Sequence, residues 1–308
     1  MDEGTPTGMD EGTPLAVPGS APADPPETRW PAPAKLNLFL HVTGRRADGY
    51  HDLQTVFQLI DLCDTVGITL RDDGRIERTA GLAEVGPDDD LAVRAARALK
   101  AASGSARGAS LRVVKRIPVG GGLGGGSSDA ATVLIALNRL WGCGLSVPAL
   151  AAIGLKLGSD VPVFVHGRSA WGAGRGERLE ALELPESWFA IIHPGVRVPT
   201  AEVFQAPELT RNSPLITIRA FFESGGHNDF EPLVRRRFPE VGEALDWLGR
   251  YAPARLTGTG SCVFARCASA ARAESLAAQV PDRWRSYVAR GLASSPVFEQ
   301  LGTHARQS

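Results

Sequence analysis

The sequence has almost no excess charge of either sign and no long apolar run. Lys and Arg together number 33 and Asp and Glu 34, for a net charge of −1. This balance offers no basic footprint for nucleic acid or an anionic membrane. No apolar stretch is long enough to cross a bilayer, and the N-terminus lacks the regions of a signal peptide. We therefore expect a cytoplasmic protein with no nucleic-acid or membrane partner, as a monomer or weak homodimer.

Cysteine is also scarce. The four cysteines, Cys63, Cys143, Cys262 and Cys267, are scattered and show no metal-ligand spacing. Such residues are typically reduced, buried and apolar in a cytosolic protein. The sequence therefore predicts no disulfide framework and no protein metal centre.

Large apolar side chains are nearly absent from the first 29 residues. This segment contains six prolines and a near-tandem repeat, MDEGTP at 1–6 and 9–14. It cannot bury enough surface to offset its ordering entropy, so we predict a disordered tail over 1–29. The rest of the 308 residues, 43% hydrophobic and 22% charged, suffices for two globular domains.

The most informative segment present is KRIPVGGGLGGGSSDAATVLIALNRLW at 115–141. It predicts a strand, a glycine-rich loop and an amphipathic helix that Ser127 or Ser128 caps and that Gly142 and Gly144 end. Glycine allows positive φ and close backbone approach, so successive N–H groups can face one anion. A helix N-terminus behind such a loop predicts a phosphate site.

Two known phosphate loops do not fit this segment. A P-loop requires a lysine after the glycines, and none follows here. The dinucleotide fingerprint requires an acidic residue about 20 positions on, but no Asp or Glu lies between Asp129 and Asp160. The sequence therefore argues against a nicotinamide site.

The segment KLNLFLHV at 35–42 alternates apolar and other residues, which predicts a strand. Its even-numbered residues, Leu36 to Val42, are expected to face a core. Lys35 and Asn37 then project from the opposite face. An isolated strand lysine is usually solvated, so this pattern alone assigns Lys35 no function.

Several motifs together carry a resemblance to a known family. PxxxGLGGGSSDAA from Pro118 resembles the ATP-binding motif of the GHMP kinase superfamily. DGYH at 48–51, GSDVPVF at 158–164, NDFEP at 228–232 and LTGTGSCVFA at 256–265 follow a matching order. From about Pro31 to its last third the chain resembles the 4-diphosphocytidyl-2-C-methyl-D-erythritol kinases, and DGYH and KLNLFL separate it from other GHMP kinases.

The resemblance implies a kinase that uses ATP and Mg²⁺ on a small-molecule acceptor, a cytidine-diphosphate sugar alcohol. Asp160, at a turn before an apparent strand at 161–165, would be the catalytic base, and Lys35 would lie beside it. Tyr50 would stack on the cytosine, His51 and Asn37 would bind the same half of the substrate, and Thr200 would lie near its phosphates. Phe204 would give a second aromatic face. Nucleotide-binding residues would be Lys115, Pro118, Gly120, Gly121, Gly122, Leu123, Gly124, Gly125, Gly126, Ser127 and Ser128.

Other interpretations of these residues stay open at this point. Tyr50 and Phe204 could be core aromatics and His51 a surface histidine. Lys115 could be a solvated strand residue, and GTGS at 258–261 a plain β-turn rather than a support for the phosphate loop. For Mg²⁺, the nearby oxygen ligands are Ser127, Ser128 and Asp129, and the sequence does not choose among them.

One position departs from the family pattern. The stretch 88–99 predicts a helix that starts at acidic residues, and the family usually has asparagine where this chain has Asp90. Aspartate caps a helix as well as asparagine but has no amide to donate. We expect ATP as the nucleotide, with an altered affinity or purine preference.

The resemblance implies an α+β fold in two lobes. A ribosomal-S5-like N-terminal domain, 30–180, would carry the ATP loop, and a ferredoxin-like C-terminal domain, 181–305, would complete a cleft. The junction is placed at 183–187, and 206–227 is expected to be loop-rich. The leading hypothesis is phosphorylation of the 2-hydroxyl of 4-diphosphocytidyl-2-C-methyl-D-erythritol in the non-mevalonate route of isoprenoid synthesis. The alternatives are another small-alcohol kinase, of homoserine or mevalonate type, and a non-catalytic nucleotide-binding protein.

Overall fold

The strands form two groups that share one sheet, and every pair in it is antiparallel except the parallel pair of the third and fourth strands. The computed structural model describes Met1, residues 26–82 and residues 85–305, with the backbone alone at 303–305. The strands are β1 (Thr28–Arg45), β2 (His51–Arg71), β3 (Ile76–Ala80), β4 (Gly108–Val114), β5 (Ala170–Gly174), β6 (Arg178–Ala181), β7 (Trp188–His193), β8 (Ala254–Leu256), β9 (Val263–Cys267) and β10 (Arg285–Leu292).

The helices come singly or in runs of three or four between these strands, and the last follows β10. They are α1 (Leu91–Ser103), α2 (Gly125–Leu140), α3 (Val147–Leu155), α4 (Val161–His166), α5 (Thr200–Gln205), α6 (Ile218–Ser224), α7 (Glu231–Arg237), α8 (Pro239–Gly249), α9 (Ala270–Ala277) and α10 (Pro296–Ala305). In the part of the chain described, no helix is long and apolar enough to span a membrane. The predicted α+β class in two lobes is confirmed.

Strand β10 joins the two lobes. The strand order is β3-β4-β2-β10-β7-β9-β8, with β1 and β5 also paired to β2 and β6 paired to β5. Residues 285–290 of β10 pair with β7 of the second lobe, while Gly291 and Leu292 pair with Ile60 and Leu59 of β2 in the first. The continuous backbone ladder fixes the lobes against each other.

Each lobe has its own apolar core. In the first, helices α1 and α2 pack on the sheet around Trp30, Leu59 and Leu111. In the second, α7 and α8 pack around Phe230, Leu248 and Val263. A third cluster, which includes Leu36, Leu123 and Phe264, lies where the lobes meet. The junction is therefore packed rather than solvated.

The structure changes three predictions about the chain's organisation. Strand β1 begins at Thr28, so the fold starts inside the predicted 1–29 tail, whose residues 2–25 lie outside the described part. Residues 218–224, inside the segment 206–227 that is expected to be loop-rich, form α6, which Thr217 caps. The run Val161–Val165, expected to be a strand, opens α4, with Pro162 in its first turn. The 183–187 segment does fall between β6 and β7, and the domain boundary there stays a prediction.

Strand β1 is buried on both faces, whereas the alternation predicted burial on one. Lys35 and Asn37 are each only 3% exposed, and Phe39 is 1% exposed. The phosphate loop covers this second face, where the Lys35 ammonium donates to the Gly122 carbonyl at 3.0 Å. A register shift between Asn37 and Leu40 also breaks the simple alternation. Lys35 is therefore not a solvated strand lysine.

Candidate active site

A cavity of about 790 Å³ lies between the lobes and contains nearly every residue predicted for the site. Ser128 is not part of its wall. The second lobe contributes to the cavity wall residues from α5 and from the segment at 258–259. The predicted residues that line the cavity are Lys35, Asn37, Tyr50, His51, Lys115, Pro118, Gly120, Gly121, Gly122, Leu123, Gly124, Gly125, Gly126, Ser127, Asp160, Thr200 and Phe204.

The glycine loop is held in a conformation that other residues rarely adopt. Gly120, Gly122 and Gly124 have φ values of 72°, 76° and 73°. A Cβ on Gly122 would lie 2.2 Å from the Thr257 carbonyl oxygen. The loop thus needs glycine both for its backbone angles and for its close approach to the 257–262 segment.

Helix α2 starts earlier than predicted, and the serines do not cap it. Gly124, in the left-handed region, is the N-cap, and Ser127 and Ser128 lie inside the first turn. Ser128 is fully buried with no hydrogen-bond partner for Oγ, whereas Ser127 lines the cavity. Because first-turn N–H groups have no intrahelical acceptor, this end of α2 presents donors to an anion.

Lys35 and Asp160 meet at one side of this helix end. The Lys35 Nζ lies 3.3 Å from Asp160 Oδ2 and donates to Asn37 Oδ1 at 2.5 Å and to the Gly122 carbonyl at 3.0 Å. Asp160 precedes α4 but makes no side-chain cap bond. Its carboxylate, 34% exposed, lies at the cavity wall beside a buried ammonium. This is a carboxylate that can accept a proton next to a fixed positive charge.

Aromatic residues form another part of the cavity wall, here called its aromatic end. Tyr50 is 50% exposed, and the Arg175 guanidinium carbon lies 3.6 Å above its ring centroid. His51, in contrast, is buried, with its ring centroid 5.3 Å from that of Phe204. The exposures are the reverse of those expected if Tyr50 were a core residue and His51 a surface one. A half-exposed aromatic ring, with a guanidinium above one face, thus lies next to a buried imidazole.

The buried imidazole of His51 is neutral. Arg211 Nε donates to His51 Nε2 at 3.0 Å, which leaves Nδ1 of this ring to carry the proton. Burial, and then the Arg211 charge, lowers the pKa of His51 below its ordinary value.

Phe204 and Thr200 come from α5 of the second lobe. The Phe204 ring packs edge-on against Phe230 at 4.7 Å and also lines the cavity, so it is both a core contact and a wall residue. The Thr200 hydroxyl lies 3.0 Å from that of Thr259. The segment at 258–261 is both a turn and a support for the phosphate loop. The Gly260 N–H donates to the Thr257 carbonyl and closes the turn, while the N–H groups of Ser261 and Cys262 donate to the phosphate loop.

Lys115 is neither a solvated residue nor a free cation. Its ammonium pairs with Asp64 and lies 2.7 Å from Asp129 Oδ2, and Asp64 is fully buried. Burial opposes the charge on Lys115, but Asp129 and Asp64 outweigh it and raise its pKa. Burial raises the pKa of Asp129, with Lys115 opposing. The triad ties β2 and the end of β4 to the first turns of α2.

Asp90 caps α1 as predicted and has a partner that the sequence did not suggest. Its Oδ1 accepts from the Ala92 N–H at 2.9 Å, and its Oδ2 lies 3.1 Å from Arg78 Nη1. Both residues of this pair are largely buried, and Asp90 lines the cavity. The position that departs from the family pattern is thus neutralised by an arginine from β3.

Arg175 is a charged cavity residue that sequence reasoning missed. It lies between β5 and β6, in a GAGRGER stretch that reads as an ordinary turn. Its Nη2 lies 3.4 Å from the Ser159 hydroxyl, next to Asp160, and its buried Nε has no hydrogen-bond partner. A chain pattern cannot reveal this residue, because its stacking on Tyr50 joins positions far apart in sequence.

Comparison with known proteins defines the class. Residues 90–168 match the N-terminal domain of the GHMP kinases, and residues 207–286 match the C-terminal domain of GHMP kinases. A crystal structure of a 4-(cytidine 5'-diphospho)-2C-methyl-D-erythritol kinase has a TM-score of 0.75 and 34% identity, covering 86% of this chain and 99% of its own. A mevalonate kinase from Methanococcus jannaschii, 17% identical with a TM-score of 0.62 over 88% of this chain and all of its own, shares the fold. The protein is thus an ATP-dependent GHMP kinase.

Relatives at higher identity narrow this class to one family. The 4-diphosphocytidyl-2-C-methyl-D-erythritol kinase of Alkalilimnicola ehrlichii is 56% identical over 272 residues, 88% of this chain and 94% of the relative. That of Halorhodospira halophila is 54% identical over 280 residues, 90% and 97% of the two chains. The chain belongs to the 4-diphosphocytidyl-2-C-methyl-D-erythritol kinase family, as its motifs indicated.

Proposed function

We propose that the protein transfers the γ-phosphoryl group of ATP to the 2-hydroxyl of 4-diphosphocytidyl-2-C-methyl-D-erythritol, in the non-mevalonate route of isoprenoid synthesis. The observation that carries the proposal is the pairing of Lys35 and Asp160, 3.3 Å apart, between the first turn of α2 and the aromatic end of one cavity. ATP would bind at the helix end of this cavity, and the cytosine of the acceptor would bind at its aromatic end.

Asp160 is proposed as the base. It would take the proton of the acceptor hydroxyl as that oxygen attacks phosphorus. Lys35 would hold the carboxylate ionised and offset the charge that develops on the transferred group. Phosphoryl transfer depends mainly on positioning and charge neutralisation, which a fixed lysine and a helix N-terminus supply.

Tyr50, His51 and Phe204 are proposed to bind the cytosine. The half-exposed Tyr50 ring offers a stacking face, and the base would lie between it and Phe204. The neutral His51 would hydrogen-bond the base through its remaining ring N–H. A polar site of this kind rejects analogues that lack the matching edge.

The substrate's phosphates would be bound by cations and hydroxyls between the two ends. Arg175, whose Nε has no partner, would contact the diphosphate, and Thr200 would donate a hydroxyl from the opposite lobe. Asn37 would orient the acceptor through the hydrogen bonds that fix its amide to Lys35 and Thr55.

Magnesium is proposed to arrive with the nucleotide rather than at a site built from protein carboxylates, histidines or cysteines. Within residues 26–82 and 85–305, no group of three or more His, Cys, Asp or Glu is arranged to hold a metal. Of the three oxygen ligands considered, Asp129 is paired with Lys115 and Ser128 is buried away from the cavity. Ser127 therefore fits best. Mg²⁺ would neutralise phosphate charge, with Ser127 and phosphate oxygens holding it.

The position of the new phosphate on the product tests the proposal. Wild-type protein would be incubated with Mg-ATP and the cytidylyl substrate, and the product examined by ³¹P and ¹³C NMR. We expect one phosphomonoester, with phosphorus coupling at the tertiary carbon that bears the 2-hydroxyl. A phosphomonoester at C1, at C3 or on the ribose would contradict it. A cytoplasmic location and a monomeric or weakly dimeric state remain predictions.

A further inference from the structure

The NDFEP segment at 228–232 has no role in the reaction as described so far, yet its first residue is highly connected. Asn228 is only 5% exposed, and its side chain makes three hydrogen bonds to backbone groups. Its Nδ2 donates to the Leu256 and Gly258 carbonyls, both at 2.9 Å, and its Oδ1 accepts from the Phe230 N–H at 2.9 Å. All the strong donors and acceptors of this amide thus face backbone, with two of the bonds to one loop.

That loop lies directly against the phosphate loop. A Cβ on Gly258 would lie 3.1 Å from the Gly122 carbonyl oxygen, so the two backbones are already at contact distance. The Thr257 hydroxyl accepts from the Asn37 N–H at 3.0 Å and lies 3.5 Å from the Gly122 carbonyl. A shift of residues 256–258 would therefore be transmitted to Gly122.

Gly122 in turn positions the proposed catalytic ammonium. Its carbonyl oxygen accepts from Lys35 Nζ at 3.0 Å, and the same ammonium lies 3.3 Å from Asp160. The contacts therefore form one continuous series, from Asn228 through the 256–258 backbone and Gly122 to Lys35.

The other side of Asn228 is anchored to strand β1. The Leu40 N–H donates to the His227 carbonyl at 2.8 Å, and the Asp229 N–H donates to the Leu40 carbonyl at 2.9 Å. The Asp229 carboxylate also accepts from the Val42 N–H at 2.6 Å. These bonds fix the residues on either side of Asn228 to the strand that carries Lys35 and Asn37. The Asn228 amide therefore fixes the position of the 256–258 loop relative to that strand.

We propose that Asn228 is a positioning residue for phosphoryl transfer: it holds the 256–258 loop so that the Gly122 carbonyl keeps Lys35 beside Asp160. The inference rests on the proposed function of that pair. Asn228 itself does not line the cavity, so it would act on the rate rather than on binding of either substrate.

Asn228→Asp is the most informative change. Aspartate is nearly isosteric and keeps the acceptor for Phe230 N–H, but it places carboxylate oxygens against two carbonyls that need donors. We expect kcat to fall about 10- to 100-fold, as small displacements of reacting groups do. The KM values for ATP and acceptor should stay within about threefold. Asn228→Ser, which removes the donors without adding repulsion, should give a smaller fall in kcat and serves if Asn228→Asp does not fold.

Asn138 supplies a matched control. Its Nδ2 donates to the Leu145 carbonyl and its Oδ1 accepts from the Leu145 N–H, both at 3.0 Å, at the opposite end of α2 from the cavity. Asn138→Asp therefore makes the same chemical change in α2, where the amide binds the loop that follows the helix. We expect it to lower the thermal stability while kcat stays within about twofold of wild type.

A lowered kcat could come from displaced reacting groups or from a smaller fraction of folded protein. Calorimetric titration with Mg-ATP separates the two, because its stoichiometry counts the folded chains. A stoichiometry near one per chain in every variant, with kcat lowered only at Asn228, would support the proposal. A folded Asn228→Asp or Asn228→Ser variant with wild-type kcat would overturn it, as would equal losses at Asn138 and Asn228. If the wild-type protein does not phosphorylate the cytidylyl acceptor, the proposed function fails and the inference fails with it.

Discussion

Lys35 shows why a buried charge can be retained at a single position. Its ammonium has oxygen partners from three separate parts of the chain: Asn37, Gly122 and Asp160. A buried ion is tolerated when its remaining donors are satisfied and its counter-ion is close. The same arrangement leaves Asp160 facing the cavity with a fixed cation at its side. A buried charge is thus the group that organises the reacting residues.

Asp160→Asn tests the proposed base. The amide cannot take a proton, so we expect kcat to fall on the order of 10²–10⁴-fold. Thermal stability should fall, because the variant leaves the buried Lys35 ammonium without its counter-ion, so kcat is compared per folded protein. Asp246→Asn, which alters an exposed carboxylate paired with Arg235, is the control and should leave kcat unchanged. Turnover of the Asp160 variant within tenfold of wild type would exclude it as the base.

Tyr50→Ala tests the proposed cytosine site. Loss of a stacking face costs about 1–3 kcal/mol per base, which corresponds to a rise of roughly 5- to 150-fold in the acceptor KM. The KM for ATP should change much less, because the contact of the Tyr50 ring is with Arg175 rather than with the phosphate loop. Tyr251→Ala removes a tyrosine of the second lobe that is 37% exposed, and serves as the comparison. Equal acceptor KM values in the two variants would place the base elsewhere.

At the scale of elements, the phosphate loop and α2 act as one unit. The left-handed Gly124 ends the loop and starts the helix, and the helix is buried from Ser128 to Leu137. The second lobe holds the loop in place, because the N–H groups of Ser261 and Cys262 donate to the carbonyls of Gly120 and Gly121. A flexible-looking glycine run is therefore held on both sides.

Gly122→Ala should disrupt this unit. The new methyl group would lie 2.2 Å from the Thr257 oxygen at a φ of +76°, so the loop must move. We expect a fall in kcat/KM of at least about 100-fold and a lower Tm. Gly249→Ala, at a helical position with no atom within 4 Å of the added carbon, should behave as wild type or be slightly more stable. A fully active Gly122→Ala variant would refute the close packing of the two loops.

The sequence predicted local elements better than the contacts between residues far apart in the chain. The glycine run indicated a phosphate loop because its composition carries that information locally. The start of α2 was wrong, since Gly124 rather than a serine determines it. The burial of Lys35 was missed because a covering loop some 87 residues away in sequence is invisible in an alternation pattern. The stacking of Arg175 on Tyr50 and the ion pair of Asp64 with Lys115 were missed for the same reason.

At the scale of the whole molecule, the site exists only because two lobes are fixed together. The reacting pair and the phosphate loop belong to the first lobe, whereas Thr200, Phe204 and the 258–259 segment come from the second. Strand β10 pairs with both lobes, and an apolar cluster fills their junction. The cavity is therefore preformed in the chain as described.

Histidine burial should make the folding stability depend on pH. Burial is the main cause that lowers the pKa of His41, His51, His166 and His193. As the pH falls through about 6.5, the unfolded chain takes up protons that the folded protein does not, so the free energy of unfolding decreases. We expect Tm to fall between pH 8 and pH 5.5, measured by calorimetry at constant ionic strength.

Asp129 should oppose this trend and supplies the control. Its folded pKa is raised to about 7, so the folded protein gains a proton first as the pH falls, which adds stability over the same range. Asp129→Asn removes this contribution, and Tm should then fall more steeply between pH 8 and pH 5.5 than in wild type. A Tm that rises toward pH 5.5 in the variant would contradict the assignment of the buried histidines.

The identity of the phosphoryl acceptor is the most direct test of the central claim. ADP release from Mg-ATP would be followed in a coupled assay with 4-diphosphocytidyl-2-C-methyl-D-erythritol, with homoserine, with mevalonate and with no acceptor. We predict turnover with the cytidylyl acceptor alone. Turnover with homoserine or mevalonate would contradict the proposed cytosine end of the cavity, and nucleotide binding without turnover on any acceptor would contradict the catalytic pairing of Lys35 and Asp160.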